Sequence, residues 1–308
     1  MPKAGIVTVA GLPNAGKSTL LNRLVGETLA ITSPKPQSTR HRVVGIRTEG
    51  DAQMVIFDTP GLLDAKDALH DAMRQAAVAA LGDADVIVQV ADATRPVPPP
   101  LHVLARLPAP PRVPVLVALN KLDLLSEEAR GDLLRASVRT TGAEATGDGD
   151  GEGSPARTVV PVSAVTGEGI DTLVTAITNF LPESPYLYPA DEISTQPMRF
   201  FCAEFVREAA MEQLGDEVPH ALACVIDEYR EGSSPLYIRA VLYVERDSQK
   251  RIVIGQGGQR IKSLGRIARE KIERFVGQPV YLDLWVKVLP NWRRNPGAVR
   301  RLGYGGPT

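Results

Sequence analysis

An apolar run, Ile6–Ala10, leads straight into Gly11-Leu-Pro-Asn-Ala-Gly-Lys-Ser18, after which Lys17–Val25 has the pattern of a helix. A strand that turns through this octapeptide into a helix leaves the turn open to an anion. The glycines let successive backbone N–H groups point inward, and Lys17 adds a full positive charge. The helix start contributes its partial positive end. The spacing fits a P-loop and predicts a phosphate site built from Gly11, Asn14, Ala15, Gly16, Lys17, Ser18 and Thr19. It does not say which base the phosphate carries, and a Gly-rich turn without a ligand remains an alternative here.

The rest of the first half has the grammar to hold such a loop. Met54–Phe57, Val86–Val90, Val113–Leu119 and Thr158–Val162 are short apolar runs, and most lack polar alternation. That is expected of strands covered on both faces by helices. Leu69–Leu81, Glu127–Val138 and Ile170–Leu181 have the helical period between them. The alternation predicts an α/β, doubly wound, mainly parallel sheet. Two stretches interrupt it. Arg95–Pro114 is Pro-rich around a short Leu101–Leu107 helix and is expected to be a stiff surface connection. Thr141–Pro155 is Gly- and Asp-rich; Asp148 to Gly153 imitates half a calcium loop, but Val159 stands where a bidentate Glu is needed. It is expected to be a disordered insertion.

Three further motifs follow predicted strands in order. Asp58-Thr-Pro-Gly61 offers a carboxylate for indirect Mg²⁺ coordination and, at Gly61, an N–H that can sense a γ-phosphate. Asn120-Lys-Leu-Asp123 offers Asp123 to guanine N1–H and its 2-amino group together, a geometry adenine cannot match. Asn120 and the Lys121 stem would hold the loop and flank the base, and Ser163-Ala164 can present an N–H to guanine O6. Together these predict GTP and GDP as ligands. Ser18, Thr39 and Asp58 form the expected metal set, Thr39 being preferred to Ser38 as the hydroxyl that joins Mg²⁺ only with a γ-phosphate. Lys17, Thr39, Gly61 and Asn14 carry the expected catalytic roles. Ras-type enzymes orient water with a Gln just after the DxxG glycine; here that position is Leu62, so hydrolysis should be slow. Asn14 could help hold K⁺ as a substitute for the missing group.

Composition separates a second region. Leu181-Pro-Glu-Ser-Pro-Tyr-Leu-Tyr-Pro189 ends the first. Beyond it, Arg199–Leu214 reads as a helix, Ala221–Tyr229 and Leu236–Glu245 as a strand pair, Gln259–Val276 as a helix and Val280–Val288 as a strictly alternating strand. Glu245–Arg274 holds nine Lys/Arg against four Asp/Glu, in a chain whose net charge is −1. Such a basic block suggests an anionic partner, with a merely solvated helix face about as good a reading on charge alone. Within it, Gly255-Gln-Gly-Gly258 joins two helical segments. A lone GxxG is weak, but between a hairpin and a last strand it looks like an α+β KH domain of type 2, whose loop backbone clamps single-stranded RNA. Arg251, Ile254, Gly255, Gln256, Gly257, Gly258, Arg260, Lys262 and Arg266, with Arg269, are the candidate RNA-binding residues. A tight helical turn without RNA is the competing reading.

Over nearly its full length the chain resembles the Era family of bacterial GTPases. The likeness rests on GLPNAGKSTLLNRLVG, QSTRHRVVGI, DTPG, NKLD, SAVTGEG, LPESPYLYP, VIGQGG and LWVKV. The expected organisation is a GTP-binding domain over 1–182, a linker over 183–197, a KH RNA-binding domain over 198–290 and a C-terminal tail over 291–308. The resemblance implies binding to small-subunit ribosomal RNA near its 3′ end, a role in assembly of the small ribosomal subunit, and cytoplasmic residence with possible peripheral contact at the inner face of the cell membrane. The protein is expected to be a monomer. The family usually carries two threonines where this chain has Ser38-Thr39, and often a Lys inside the GxxG where this chain has Gln256-Gly257. The two cysteines, Cys202 and Cys224, lack metal-like spacing and are expected reduced. A competing class, an RNA-binding assembly module that uses GTP only as a structural ligand, stays open because of Leu62. A P-loop kinase is disfavoured by Asn120–Asp123.

Overall fold

The structure is a computed structural model that describes residues 1–96, 98–142, 158–215 and 217–305. The Gly- and Asp-rich stretch 143–157, with its half calcium loop, lies outside the described residues. Backbone contacts divide the chain into two compact units. The first comprises Met1–Ala30, Thr39–Asp64 and Met73–Thr195; the second comprises Ile31–Ser38, Ala65–Ala72 and Gln196–Thr308.

In the first unit the order is β1 (Lys3–Gly11), α1 (Lys17–Val25), β2 (Val43–Glu49), β3 (Ala52–Asp58), the latter part of α2 (Ala68–Gly82), β4 (Val86–Asp92), α3 (Leu101–Ala105), β5 (Val115–Asn120), α4 (Glu127–Gly142), β6 (Thr158–Pro161) and α5 (Ile170–Phe180). The sheet runs β2-β3-β1-β4-β5-β6, with only the β2–β3 pair antiparallel. Val7, Val9 and Ala10 on β1 and Val86, Ile87 and Val88 on β4 are fully buried. A central strand covered on both faces has no solvent side, which explains the missing polar alternation. β2 is absent from the sequence expectations. It lies at the edge and turns polar over Arg47-Thr-Glu49, so no uninterrupted apolar run marks it.

Residues 183–195, expected to be linker, are strapped to the first unit. Gln53, fully buried on β3, accepts at Oε1 from the N–H groups of Leu187 and Tyr188 (2.7 and 3.0 Å) and donates from Nε2 to the Tyr188 carbonyl at 2.8 Å. Further on, Ile46 N–H on β2 donates to the Ile193 carbonyl at 2.8 Å, and the Ser194 hydroxyl donates to the Val44 carbonyl.

The second unit contains α6 (Met198–Gln213), α7 (Val218–Ala221), β7 (Ala223–Arg230), β8 (Leu236–Val244), α8 (Asp247–Ile254), α9 (Gln259–Val276), β9 (Val280–Val288) and α10 (Pro296–Arg301). Its sheet is β7-β8-β9, antiparallel then parallel. The apolar stripe of α9, including Leu264, Ala268 and Ile272, is fully buried, as are Ile238, Ala240 and Leu242 of β8. Phe275 meets Phe201 and Phe205 of α6 at ring separations of 5.0 and 5.1 Å. Inside the same unit Arg207 donates to both carboxylate oxygens of Glu204 (2.9 and 2.6 Å), and both residues are buried. It also donates to the Ser38 carbonyl, while Lys35 donates to the carbonyls of Met211 and Leu214. Cys202 and Cys224 are free, and burial pushes both thiols up, Cys202 to about 12.

The expected tail needs correction. Trp292 is fully buried, stacks on Tyr304 at 5.7 Å and donates from Nε1 to the Ala221 carbonyl at 2.9 Å. Asn295 caps α10 by accepting from the N–H groups of Gly297 and Ala298. Large aromatics spaced beyond the last strand complete the fold through Gly305. No helix among the described residues is long and apolar enough to cross a membrane.

Candidate nucleotide site and nucleic-acid interface

β1 ends where the octapeptide turns, and Gly16, in the left-handed region (φ 94°), precedes the first turn of α1. A Cβ at Gly16 would stand 2.2 Å from Asn120 Nδ2, so this position tolerates no side chain. The approach is that close because Asn120, buried at the end of β5, donates from Nδ2 to the Ala15 carbonyl at 2.9 Å. Its Oδ1 accepts from the Ala164 N–H, also at 2.9 Å. One amide thus ties the loops after β1, β5 and β6 together. Asp123, exposed, accepts from the Ser163 hydroxyl at 2.6 Å. Lys121 (φ 73°) turns its ammonium to Asp92 at 2.7 Å. Partial burial works to raise the Asp92 carboxyl, but hydrogen bonds from Lys121 and Thr94 outweigh it and hold the group below the usual range.

Lys17 is buried and donates to the Leu12 carbonyl at 2.9 Å. Burial lowers its ammonium to about 8, only partly offset by the Asp58 carboxylate. Burial likewise raises Asp58 to about 6, against the pull of Lys17 and hydrogen bonds from Ser18, Thr39 and the Thr59 N–H. Three oxygens converge here. Ser18 Oγ lies 2.7 Å from Thr39 Oγ1 and 2.6 Å from Asp58 Oδ2, and Thr39 Oγ1 is 3.3 Å from that same carboxylate oxygen. The other oxygen, Asp58 Oδ1, is buried with no hydrogen-bond partner among the described residues. Two hydroxyls and a carboxylate with an unsatisfied oxygen suit a hard, oxygen-loving cation, so the donor set fits Mg²⁺. Ser38 differs from its neighbour: its carbonyl accepts from Arg207.

Gly61 packs against Pro13, and a Cβ there would come within 2.7 Å of that ring. The next N–H, that of Leu62, donates to the Gly11 carbonyl at 3.1 Å. The Leu62 side chain is buried in a cluster with Ala10, Ala77, Leu81 and Ile87. It is a core residue, 4% exposed. Asn14 is exposed and left-handed at φ 60°.

In the second unit α8 ends at Gly255 and α9 starts after Gly258, with Gly255, Gly257 and Gly258 all at positive φ. A Cβ at Gly255 would lie 2.6 Å from Arg260 Cβ, which sets how closely the two helices approach. At Gly257 and Gly258 an added Cβ would meet nothing. Their backbone is therefore open to a ligand. Arg251, Gln256, Arg260, Lys262 and Arg266 are exposed around the turn, and Ile254 is half-buried. Arg260 donates to the Ile252 carbonyl at 2.9 Å, and Arg266 pairs with Glu270 at 3.0 Å.

Two constellations escaped sequence reasoning. Gln53 gave no signal, because a single polar residue in an apolar strand is usually a surface position. The Glu204–Arg207 pair sits at helical i,i+3 spacing, which commonly marks a solvated face. Only the burial of the middle of α6, Glu204 through Met211, distinguishes it.

A family model described as 50S ribosome-binding GTPase matches residues 6–121, and one described as KH domain matches residues 217–293. The chain is 41% identical over 305 residues to GTPase Era of Halothermothrix orenii, covering 99% of both chains. It is 43% identical over 304 residues to GTPase Era of Pseudomonas aeruginosa, covering 98% of this chain and 95% of that one. Two solved structures superpose with a TM-score of 0.87 at 39% identity over 99% of this chain and 100% of each of theirs. One is a variant of Aquifex aeolicus Era bound to GDP and AlF4⁻; the other is Era in complex with MgGDPNP and nucleotides 1506–1542 of 16S ribosomal RNA. Identity at this level over the whole length, with a P-loop GTPase fold followed by a KH fold, means that the chain is a GTP hydrolase of the Era family.

Proposed function

We propose that this protein is a slow GTP-hydrolysing switch that binds small-subunit ribosomal RNA and acts in assembly of the small ribosomal subunit. The observation that carries the nucleotide half is the meeting of Ser18, Thr39 and the unsatisfied Asp58 carboxylate beside buried Lys17. Gly11 and Asn14 through Thr19 cradle the phosphates, and Lys17 compensates their charge. Asn120, Lys121, Asp123, Ser163 and Ala164 bind the base. Ser18, Thr39 and Asp58 would hold Mg²⁺, which would supply positive charge to neutralise that of the phosphates. The Gly61 N–H donates to the γ-phosphate and is lost as a contact once phosphate leaves. Leu62, committed to the core, leaves the attacking water without a side-chain guide, so the intrinsic rate is low.

For the RNA half, the open backbone at Gly257 and Gly258 amid Arg251, Arg260, Lys262 and Arg266 supports a clamp on single-stranded RNA. A relative solved with nucleotides 1506–1542 of 16S ribosomal RNA makes that region the RNA to try. The protein acts as a monomer in the cytoplasm, and the sequence expectation of peripheral membrane contact adds no step to this cycle. Single-turnover GTP hydrolysis, with and without small subunits, tests the reading together with RNA binding by Gly258→Asp. A rate above background and a loss of RNA affinity with intact GTP binding are expected; no hydrolysis in either condition would refute the switch.

A further inference from the structure

The face of the β7-β8-β9 sheet turned away from α6 and α9 carries an ordered set of planar side chains. Register places Arg230 opposite Tyr237 and Tyr237 opposite Tyr281, one residue from each strand. The Arg230 guanidinium lies 4.4 Å from the Tyr237 ring centre, and Tyr237 stacks on Tyr281 at 5.7 Å with 12° between planes. Two register steps along, Trp285 stands on the same side of β9. Asp283 lies between and accepts from Tyr237 Oη, Arg239 Nε and Trp285 Nε1 at 3.1, 3.1 and 2.9 Å. One carboxylate thus fixes the poses of three neighbours. Despite this order, Tyr281 is 58% and Trp285 52% exposed, in a chain with 5% aromatic residues.

A folded domain has no internal use for a prearranged stack with its outer rings in water. The opposite side of β8 shows the contrast, with Leu236, Ile238, Ala240 and Leu242 all buried. What could cover the outer face is limited by its chemistry. It offers rings and guanidinium groups but no exposed aliphatic patch, Val241 being buried. Arg230, Arg239 and Lys287 supply cations here, with Arg230 and Arg239 held by Glu228 and Asp283 and with Asp227 exposed at the neighbouring bulge. Protein contacts centre on densely packed apolar groups from which charge is depleted. Nucleobases instead stack on rings and on Arg planes, with backbone phosphates near cations. β9 is an edge strand, and the outer ring of the stack, Tyr281, is exposed on it.

We infer that the outer face of this sheet is a second single-stranded RNA platform, on which Tyr281 and Trp285 stack bases of the strand whose other part lies at the GxxG turn. The inference rests on the RNA reading given above and extends it to a surface on the other side of the sheet. At about 3.4 Å per residue, Tyr281 and Trp285 are separated by roughly 14 Å along β9. That separation lets the two rings engage different nucleotides of one extended strand.

The test uses the full chain with GDPNP, Mg²⁺ and a labelled RNA of nucleotides 1506–1542 of 16S ribosomal RNA. The molecule has two tryptophans, and Trp292 is fully buried, so solvent-sensitive emission reports on Trp285. RNA should quench that emission in the parent protein, and Trp285→Phe should remove the quenching. Tyr281→Ala and Trp285→Ala should each weaken RNA binding roughly tenfold, about 1.4 kcal/mol and within the range of one base–aromatic stack. Tyr281→Phe should bind like the parent, GTP affinity should be unaltered in all of them, and melting curves should show each variant folded at the assay temperature. Unquenched emission with parental RNA affinity in both Ala variants, while Gly258→Asp loses RNA, overturns the platform and leaves the GxxG clamp standing. If Gly258→Asp also keeps its affinity, the clamp reading fails separately. Parental RNA affinity with lost small-subunit association would identify a protein occupant and equally overturn the inference.

Discussion

Asn120 donates to the Ala15 carbonyl and accepts from the Ala164 N–H, both at 2.9 Å, so one buried amide sets the spacing between the phosphate cradle and the base-reading loops. Asn120→Ala removes both bonds and leaves a buried carbonyl and a buried N–H unsatisfied. At about 1–3 kcal/mol for such losses, GDP and GTP affinities should fall roughly 10- to 100-fold. Titration with a fluorescent GDP analogue checks this. An affinity within twofold of the parent would show that water replaces the amide.

Specificity for the base is a separate question from affinity. Asp123→Asn exchanges an acceptor pair for a donor and an acceptor, which suits xanthine better than guanine. Competition between GTP and XTP should reverse in the variant. Unchanged GTP preference would place the guanine contact elsewhere.

Leu62→Gln would restore the side chain that Ras-type enzymes use at this point. Here the side chain is buried among Ala10, Ala77, Leu81 and Ile87, so the new amide would enter an apolar cluster. The variant should lose about 2–4 kcal/mol of stability and gain no hydrolysis. Urea unfolding and single-turnover rates read the two effects independently. A faster, equally stable variant would mean that the loop can turn this residue outward.

The nucleotide-free protein should respond to pH through Asp58 and Lys17. The folded Asp58 carboxyl sits at about 6, above the unfolded value of about 3.9. The folded state then holds a proton that the unfolded chain releases, and stability falls as pH rises from about 4 to about 6. Lys17 sits at about 8 when folded, below the unfolded value of about 10.4, so its contribution rises with pH between those limits. Both charges are buried together near neutrality, where ligand-free stability from this pair is lowest. Relative to the parent, Asp58→Asn should flatten the pH 4–6 limb by on the order of 2–3 kcal/mol. Melting curves across this range, compared between the two proteins, would refute the assignment if their difference is independent of pH.

Replacing Na⁺ by K⁺ should raise the hydrolysis rate if Asn14, exposed and left-handed in the phosphate loop, helps hold a monovalent cation. Asn14→Ala should then abolish the difference between the salts. Equal rates in both salts for the parent protein would remove K⁺ from the mechanism.

Most of the nucleotide-site geometry was legible because each motif follows a strand and every strand but β2 is an apolar run. β2 escaped because an edge strand needs only one apolar face, and its second half is polar. The GxxG turn was legible from glycines whose backbone angles no other residue adopts cheaply. The stack Arg230–Tyr237–Tyr281 was not, since Tyr281 joins the Arg230–Tyr237 hairpin pair only through register with a strand more than forty residues further on. The Glu204–Arg207 pair was hidden for a related reason: local spacing cannot tell a buried ion pair from a solvated one.

The strap at residues 183–195 has a consequence beyond connection. β2 is a terminal strand of its sheet, and such an edge offers unpaired N–H and C=O groups to any strand that passes. Ile193 and Ser194 bond to Ile46 and Val44 on that strand. The segment between the domains thus also serves as a guard against intermolecular strand addition. Its length is constrained by the edge it must shield, and shortening it should show first as aggregation, before any loss of nucleotide binding.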